Sequence, residues 1–173
     1  MEIEQATIRM LDDIFKLEKL IWKKDSATYK SLVQRIERFP QGFCVVYNNK
    51  ELVGMANSAL LPYPYKVIEY DQAFFPWERV HDPKGETLLL YCSTVHPDFR
   101  NIGIWKDMLN FRINYARINP KIKRVWIVGR IEENKYGPNT AALLERFGFK
   151  RIKEFPMGNK MTQALLELLP PYS

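Results

Sequence analysis

The segment VHPDFRNIGIW, residues 95–105, places an arginine and a glycine immediately before a run with helical spacing. The N-terminus of a helix presents backbone N–H groups without intrahelical acceptors and the positive end of the helix dipole, and together these bind phosphate. Arg100 can add a bidentate contact to a phosphate, and Gly103 lets a ligand approach the backbone closely. The segment therefore predicts a phosphate-binding loop, although Trp105 is a bulky side chain for such a position.

The residues before this loop predict two helices, a hairpin and a long insertion. Apolar residues recur at helical spacing in LDDIFKLEKLIW and again in SATYKSLVQRIERFP, where Ser26 can cap the helix and Pro40 ends it. GFCVVYNNKELVGMANSAL reads as two strands about a turn at Asn48–Asn49. Residues 61–86 are rich in proline and aromatic residues, which predicts an irregular insertion that is either a substrate lid or a cover for one sheet face.

The residues around and after the loop alternate between strands and helices. Strands are predicted at 88–95 and 123–129, with a helix at about 102–117 between them; a short helix, GPNTAALLERFGF, and a strand, FKRIKEF, follow. A strand–helix–strand unit requires a right-handed crossover, so the first two strands should be parallel near neighbours. The tail MTQALLELLP favours helix by propensity, whereas a strand there would need tertiary context. The fold class predicted is mixed α/β with a partly antiparallel sheet.

The composition sets limits on the class of protein. With 173 residues, 46% of them hydrophobic, the chain fits one domain spanning residues 1–173. No apolar run is long enough for a bilayer and the first ten residues lack a signal-peptide core, so we expect a cytoplasmic protein without a membrane partner. The net charge of +6 favours an anionic partner such as a polyphosphorylated cofactor, and the scattered basic residues argue against nucleic acid. Two cysteines and two histidines without ligand spacing predict no metal site.

Two motifs resemble those of a known family. VHPDFRNIGIW resembles the acetyl-CoA-binding motif [Q/R]-x-x-G-x-[G/A] of the GNAT superfamily of N-acetyltransferases, with Arg100 and Gly103 matching and Trp105 departing at the sixth position. NTAALLERFGF, residues 139–149, resembles the second motif of that family. HDPKGETLLLY followed by VHPDFR is also similar to a GNAT branch sometimes found fused to carbon–nitrogen hydrolases.

The resemblance implies a fold and a binding mode for acetyl-CoA. In this family the strands that match 88–95 and 123–129 splay apart, and the pantetheine arm of CoA lies in the gap like an added strand. Backbone groups near Ser93 would hold the pantetheine, with one N–H aimed at the thioester oxygen, and the amides that follow Arg100 would hold the pyrophosphate. The residues implied in cofactor binding are Ser93, Thr94, Val95, Arg100, Asn101, Ile102, Gly103, Ile104, Trp105 and Asn139.

The resemblance also implies direct acyl transfer from acetyl-CoA to a primary amine of a small molecule or peptide. An ammonium substrate must lose a proton first, and Glu86, which opens the central strand, is our first choice for the base. Many family members use a tyrosine as the general acid where Leu144 stands here; Tyr136, just before that helix, is the alternative donor. Tyr91 lies two residues before Ser93, so both should face one side, where Tyr91 either orients the substrate or is a core residue.

Two other functions remain open from the sequence. GNAT-like domains of polyketide loading modules decarboxylate malonyl-CoA, and the insertion and Leu144 leave room for that reaction. A non-catalytic CoA-binding or interaction module is the other alternative, favoured by Trp105 and Leu144. The aromatic residues of the insertion also predict a surface that could form a homodimer.

Overall fold

The computed structural model describes residues 1–63, 77–131, 139–157 and 161–172. Five α-helices lie within them: α1 (Leu11–Trp22), α2 (Tyr29–Arg38), α3 (Trp77–Val80), α4 (Ile104–Ile118) and α5 (Thr140–Arg146). The strands are β1 (Glu2–Gln5), β2 (Phe43–Asn48), β3 (Glu51–Leu61), β4 (Thr87–Val95), β5 (Arg124–Arg130), β6 (Lys150–Met157) and β7 (Met161–Leu168). Among the helices described, none combines the length and the apolar character that crossing a bilayer requires.

The seven strands form one mixed sheet in the order β1-β2-β3-β4-β5-β7-β6. The β4–β5 pair is parallel and the other neighbouring pairs are antiparallel. The mixed α/β fold is therefore confirmed, and so is the prediction that the strands on either side of α4 are parallel neighbours.

Helices cover both faces of the sheet. Alternate residues of β2 show this, because Val45 packs with the core formed by α1 and α2, whereas Val46 packs against Ile104 and Met108 of α4. The ring of Trp105 on α4 contacts Phe147 at the end of α5, so α5 lies on the same face as α4. Any group on β4 therefore faces either α1 and α2 or α4.

The two ends of the chain and one helix cap differ from what local patterns indicate. Residues 2–5 form an edge strand that the sequence did not predict, paired with β2. The tail forms β7, which lies between β5 and β6 in the sheet. Hydrogen bonding to both neighbouring strands and burial of its leucines override its helix propensity. Thr28 caps α2 by accepting from the Ser31 N–H, whereas the predicted cap, Ser26, donates to the Lys23 carbonyl.

The insertion is described only at its two ends, and the predicted lid at 64–76 lies outside the described residues. At its C-terminal end the Trp77 side chain is fully buried, and its Nε1 donates to the Ser58 carbonyl at 2.8 Å. His81 stacks on Trp77 with ring centroids 4.6 Å apart, and its Nδ1 accepts from the Leu60 N–H at 3.1 Å. This end of the insertion is therefore fixed to β3.

We expect His81 to make folding sensitive to acid. Burial lowers the pKa of His81 from 6.5 to about 4, and the nearby Arg38 guanidinium acts in the same direction. The stability contributed by neutral His81 is full above the unfolded pKa and is lost as pH falls through the folded value. Between about pH 6.5 and 4, the free energy of unfolding from chemical denaturation should therefore fall more steeply with decreasing pH in the wild type than in His81→Phe. The difference in slope should correspond to roughly one additional proton taken up on unfolding.

The other histidine, His96, provides the matched comparison. His96→Gln replaces the histidine of a surface turn, where Nδ1 accepts from the Asp98 N–H, in place of the histidine of the core. Equal slopes in the wild type and His81→Phe would contradict the expectation.

Candidate active site

An opening between β4 and β5 is the main feature of the sheet. The two strands pair only from Thr87–Arg124 to Leu90–Ile127, although β4 continues to Val95 and β5 to Arg130. Beyond Leu90, β3 is the only strand among the described residues that pairs with β4, so one edge of the β4 backbone faces the opening. An exposed strand edge of this kind accepts an extended ligand through main-chain hydrogen bonds. The splayed pair that the sequence predicted is thus present.

The N-terminus of α4 lies at the open end of β4 and forms a backbone cradle. Asn101 and Gly103 have positive φ angles of 64° and 95°. The first bond of the helix runs from the Asp107 N–H to the Gly103 carbonyl, so the preceding N–H groups have no intrahelical acceptor. A Cβ atom added at Gly103 would meet nothing within 4 Å. The cradle therefore combines N–H donors without an intrahelical acceptor, a helix dipole and space for a phosphate group.

The side chain of Trp105 does not fill this cradle. It is half-buried, packs against the main hydrophobic core and meets the Phe147 ring edge-to-face at 6.2 Å between centroids. Ile104 is buried against Gly54 of β3, where an added Cβ would come within 2.8 Å of the isoleucine. The first turn of α4 is thus anchored by its apolar side chains, which leaves its N–H groups facing outward.

Two other residues predicted to bind the cofactor, Arg100 and Asn139, make local hydrogen bonds in the structure. Arg100 is exposed, and its Nε donates to the carbonyl of Val95, the last residue of β4, at 3.4 Å. Asn139 caps α5 by accepting from the Ala142 N–H at 2.9 Å. The Arg130 N–H of β5 donates to the Thr140 hydroxyl at 2.8 Å, which attaches the start of α5 to the splayed strand.

A β-bulge in β4 lies where the two strands separate. Asn57 of β3 is opposite Cys92 and Ser58 is opposite Leu90, so Tyr91 is the extra residue. The Arg35 guanidinium of α2 lies 5.3 Å from the centre of the Tyr91 ring, whereas the Ser93 hydroxyl accepts from Arg112 of α4. The prediction that Tyr91 and Ser93 face the same side is therefore wrong, because the bulge breaks the alternation of the strand. Burial raises the pKa of Tyr91 to about 12.

A buried carboxylate that sequence reasoning missed lies against this bulge. Glu18 is 7% exposed, and its Oε1 accepts from the Ala27 N–H at 2.8 Å. One helical turn further, the Trp22 Nε1 donates to the Thr94 hydroxyl of β4 at 2.9 Å, so this face of α1 lies on β4. Burial raises the pKa of Glu18, and the charge of Glu18 in turn contributes to the raised pKa values of Tyr91 and Cys92.

The sequence does contain a signal for Glu18. Leu11, Ile14, Glu18 and Trp22 follow one another at intervals of three or four residues, so the carboxylate occupies a position on the face of α1 directed at the sheet. A charged residue at a buried position carries a raised pKa or a partner, and such groups concentrate at functional sites.

The predicted base, Glu86, is not brought to the opening. Glu86 precedes β4 at the closed end of the strand pair, 3.8 Å from Arg124, and is roughly 13 Å along the strand from Leu90. Tyr136 lies outside the described residues. Leu144 is buried in the core beneath β5, next to Gly129. Of the carboxylates Glu18 and Glu86, Glu18 therefore lies nearer the point where β4 and β5 separate.

Comparison with known proteins identifies the family. Residues 8–149 match the model of the acetyltransferase (GNAT) family. The chain is 24% identical over 122 residues to the uncharacterized N-acetyltransferase YkwB of Bacillus subtilis (strain 168), a match that covers 66% of this chain and 49% of that relative, about half its length.

Solved structures show the same fold. The loading GNATL domain of CurA from Lyngbya majuscula has a TM-score of 0.79 at 18% identity, covering 97% of this chain and 96% of that one. The GphF GNAT-like decarboxylase in complex with isobutyryl-CoA has a TM-score of 0.75 at 20% identity, covering 98% and 99%. With the backbone cradle, the splayed strands and the family match in agreement, the chain belongs to the GNAT family of acetyltransferases.

Proposed function

We propose that this protein transfers an acetyl group from acetyl-CoA directly to the primary amine of a small molecule or peptide. The observation that carries the proposal is the splay of β4 and β5, which opens beside the α4 cradle and ends at the bulge next to Glu18. In this proposal donor binding, polarisation of the thioester and removal of a proton all take place beside β4. The acceptor amine would then approach the thioester from the α1 and α2 face.

The donor fits the residues present. The diphosphate of CoA would be held by the N–H groups at the start of α4, and the pantetheine would follow the open edge of β4 after Leu90. Because these are main-chain contacts, Trp105 does not prevent them as long as its ring stays on Phe147. We expect Asn139, at the start of α5, and Arg100, in the loop before α4, to contact the same ligand.

Glu18 would act as the base in this reaction, in place of Glu86. The ammonium form of the substrate loses a proton to the Glu18 carboxylate, and the resulting free amine attacks the thioester carbon, which forms the C–N bond. The C–S bond then breaks, the CoA thiolate takes up a proton, for which Tyr136 remains our proposed donor, and the nitrogen releases its second proton to the Tyr136 oxygen. A nearby main-chain N–H of β4 would stabilise the negative charge that develops on the oxygen. Because burial raises the pKa of Glu18, its carboxylate is a stronger base than an exposed glutamate.

Calorimetry followed by an amine panel tests the proposal. Acetyl-CoA and CoA should bind with measurable heat and raise the melting temperature, and at least one primary amine should release free CoA thiol in proportion to acetylated product. Absence of binding to either ligand would contradict the proposal. Binding without transfer to any amine would instead support a non-catalytic CoA-binding module.

A second candidate is decarboxylation of malonyl-CoA. It is favoured by the likeness in fold to the CurA loading domain and to the GphF decarboxylase, and by the buried Leu144 where many relatives carry a tyrosine. That reaction breaks the bond between the carboxylate and the α-carbon, releases carbon dioxide and places a proton on the α-carbon. It requires no base for an amine, so Glu18→Gln separates the two functions: it should lower kcat for acetylation by roughly 10²–10⁴-fold and spare release of carbon dioxide.

A further inference from the structure

Arg112 of α4 is a buried cation without a carboxylate partner among the described residues. Arg112 is only 1% exposed to solvent. None of the ion pairs in the described part of the chain includes it. The titratable groups that act on its charge are the thiols of Cys44 and Cys92. A buried charge without a counter-ion is costly, so its hydrogen bonds must account for its place in the core.

Those hydrogen bonds converge on the bulge of β4. Nη1 of Arg112 donates to the Asn57 carbonyl at 3.3 Å and to the Cys92 carbonyl at 3.5 Å, and Nη2 donates to the Ser93 hydroxyl at 2.8 Å. Nε donates to the Met108 carbonyl of its own helix at 3.1 Å. One guanidinium thus joins β3, β4 and α4 at the point where the strand alternation breaks.

A β-bulge needs additional hydrogen-bond donors of this kind because it interrupts the regular hydrogen bonding between β3 and β4. The extra residue displaces neighbouring carbonyl groups from their regular acceptor positions, and buried carbonyls without donors destabilise the fold. A planar guanidinium, with several donors in a fixed fork, can hold carbonyls of two strands in one orientation, whereas a lysine offers a single point of attachment. The direction of the main-chain N–H groups at Cys92 and Ser93 depends on that orientation.

We propose that Arg112 is a positioning residue for the thioester: it fixes the bulge through the Asn57 and Cys92 carbonyls and so aims a β4 N–H at the thioester oxygen. Its uncompensated charge also makes this part of β4 electropositive, which favours negative charge on that oxygen. The inference rests on the proposed function, because it assigns the polarising groups of the same site.

Infrared spectroscopy of bound acetyl-CoA, labelled with ¹³C at the acetyl carbonyl, tests the role without any acceptor amine. In the wild type the carbonyl stretch should fall below its frequency in solution. Arg112→Met should lose at least half of this shift, while its Kd for acetyl-CoA stays within about threefold, because the diphosphate cradle is untouched. With an amine substrate, kcat should fall roughly tenfold to a hundredfold, less than when an oxyanion donor itself is removed.

Hydrogen exchange in the ligand-free protein supplies the second readout. Arg112→Met should speed exchange in peptides covering residues 88–95 and leave 150–157 unchanged. Arg117→Met on the same helix is the matched control, since Arg117 bonds to Asn114 and to the carbonyl of Tyr172, away from the bulge. The control should keep both the frequency shift and the exchange pattern.

The outcomes separate this inference from the function beneath it. A wild type that binds no acyl-CoA would overturn the proposed function, and with it the role given to Arg112. A normal frequency shift that persists in folded Arg112→Met would overturn the inference alone. If that variant does not fold, Arg112→Lys decides, because it keeps the charge but not the fork: part of the shift should be lost, and an unchanged shift would contradict the role.

Discussion

Replacing Glu18 with glutamine should lower kcat for amine acetylation by roughly 10²–10⁴-fold, the range expected when a general base is removed. The amide side chain of the variant would retain an oxygen to accept from the Ala27 N–H, so the local structure should persist. The Kd for acetyl-CoA should stay within about threefold, because α1 lies on the opposite face of the sheet from the cradle. Steady-state kinetics and calorimetry on the two proteins measure both quantities.

The pH dependence gives this prediction its sharpest form. Burial raises the pKa of Glu18, so the acid limb of the wild-type rate profile should lie above the ordinary range of glutamate, and the limb should vanish in Glu18→Gln. A raised carboxyl pKa stabilises the fold below the unfolded pKa, and that contribution is lost as pH rises. The neutral variant should therefore be at least as stable as the wild type at neutral pH.

The comparison variant is Glu86→Gln, because Glu86 is the base that the sequence alone favoured. It lies at the closed end of the strand pair beside Arg124. A large loss of kcat in Glu86→Gln together with an active Glu18→Gln would contradict the assignment of Glu18.

Replacing Gly103 with alanine should weaken binding of CoA roughly tenfold to a hundredfold. Gly103 has a φ of 95° at the N-cap of α4, a conformation that alanine adopts only with strain. Since an added Cβ meets no protein atom within 4 Å, either the backbone turns and moves the cradle N–H groups, or the methyl group enters the space of the phosphate. Calorimetric titration with CoA measures the loss.

Gly148 offers a matched control for backbone strain. Its φ is 86°, and an added Cβ would lie 3.6 Å from the Leu168 Cδ1, an ordinary contact. Gly148→Ala and Gly103→Ala should therefore lose similar folding stability, about 1–3 kcal/mol, while only the cradle variant loses affinity for CoA. Equal CoA affinity in the wild type and Gly103→Ala would contradict the assignment of the cradle.

Hydrophobic periodicity accounts for most of what could be predicted of the fold. The strand at 88–95, the helix after it and the strand at 123–129 were clear because each run has one period, and the crossover rule then fixed their parallel arrangement. The cradle was also predictable from the sequence, because Gly103 and the start of α4 are adjacent in the chain. β7 was not, because burial between β5 and β6 decides its conformation and local propensity does not.

The chemistry at the bulge could not be deduced from spacing. A single extra residue at Tyr91 reverses which side chains of β4 face α2, and no local sequence pattern predicts this bulge. Glu18 and Arg112 lie 74 and 20 residues from Cys92 in the sequence, and only the packing of α1 and α4 on opposite faces brings them to one strand. A carboxylate or a guanidinium at a buried helical position is a signal that could direct attention to both.

A crystal structure with CoA bound is the most direct measurement of the central claim. We expect diphosphate oxygens to accept from the main-chain N–H groups at 103–105, the pantetheine to run along β4 beyond Leu90, and the indole of Trp105 to remain against Phe147. A diphosphate held elsewhere, or β4 and β5 paired through Val95 with no ligand between them, would contradict it.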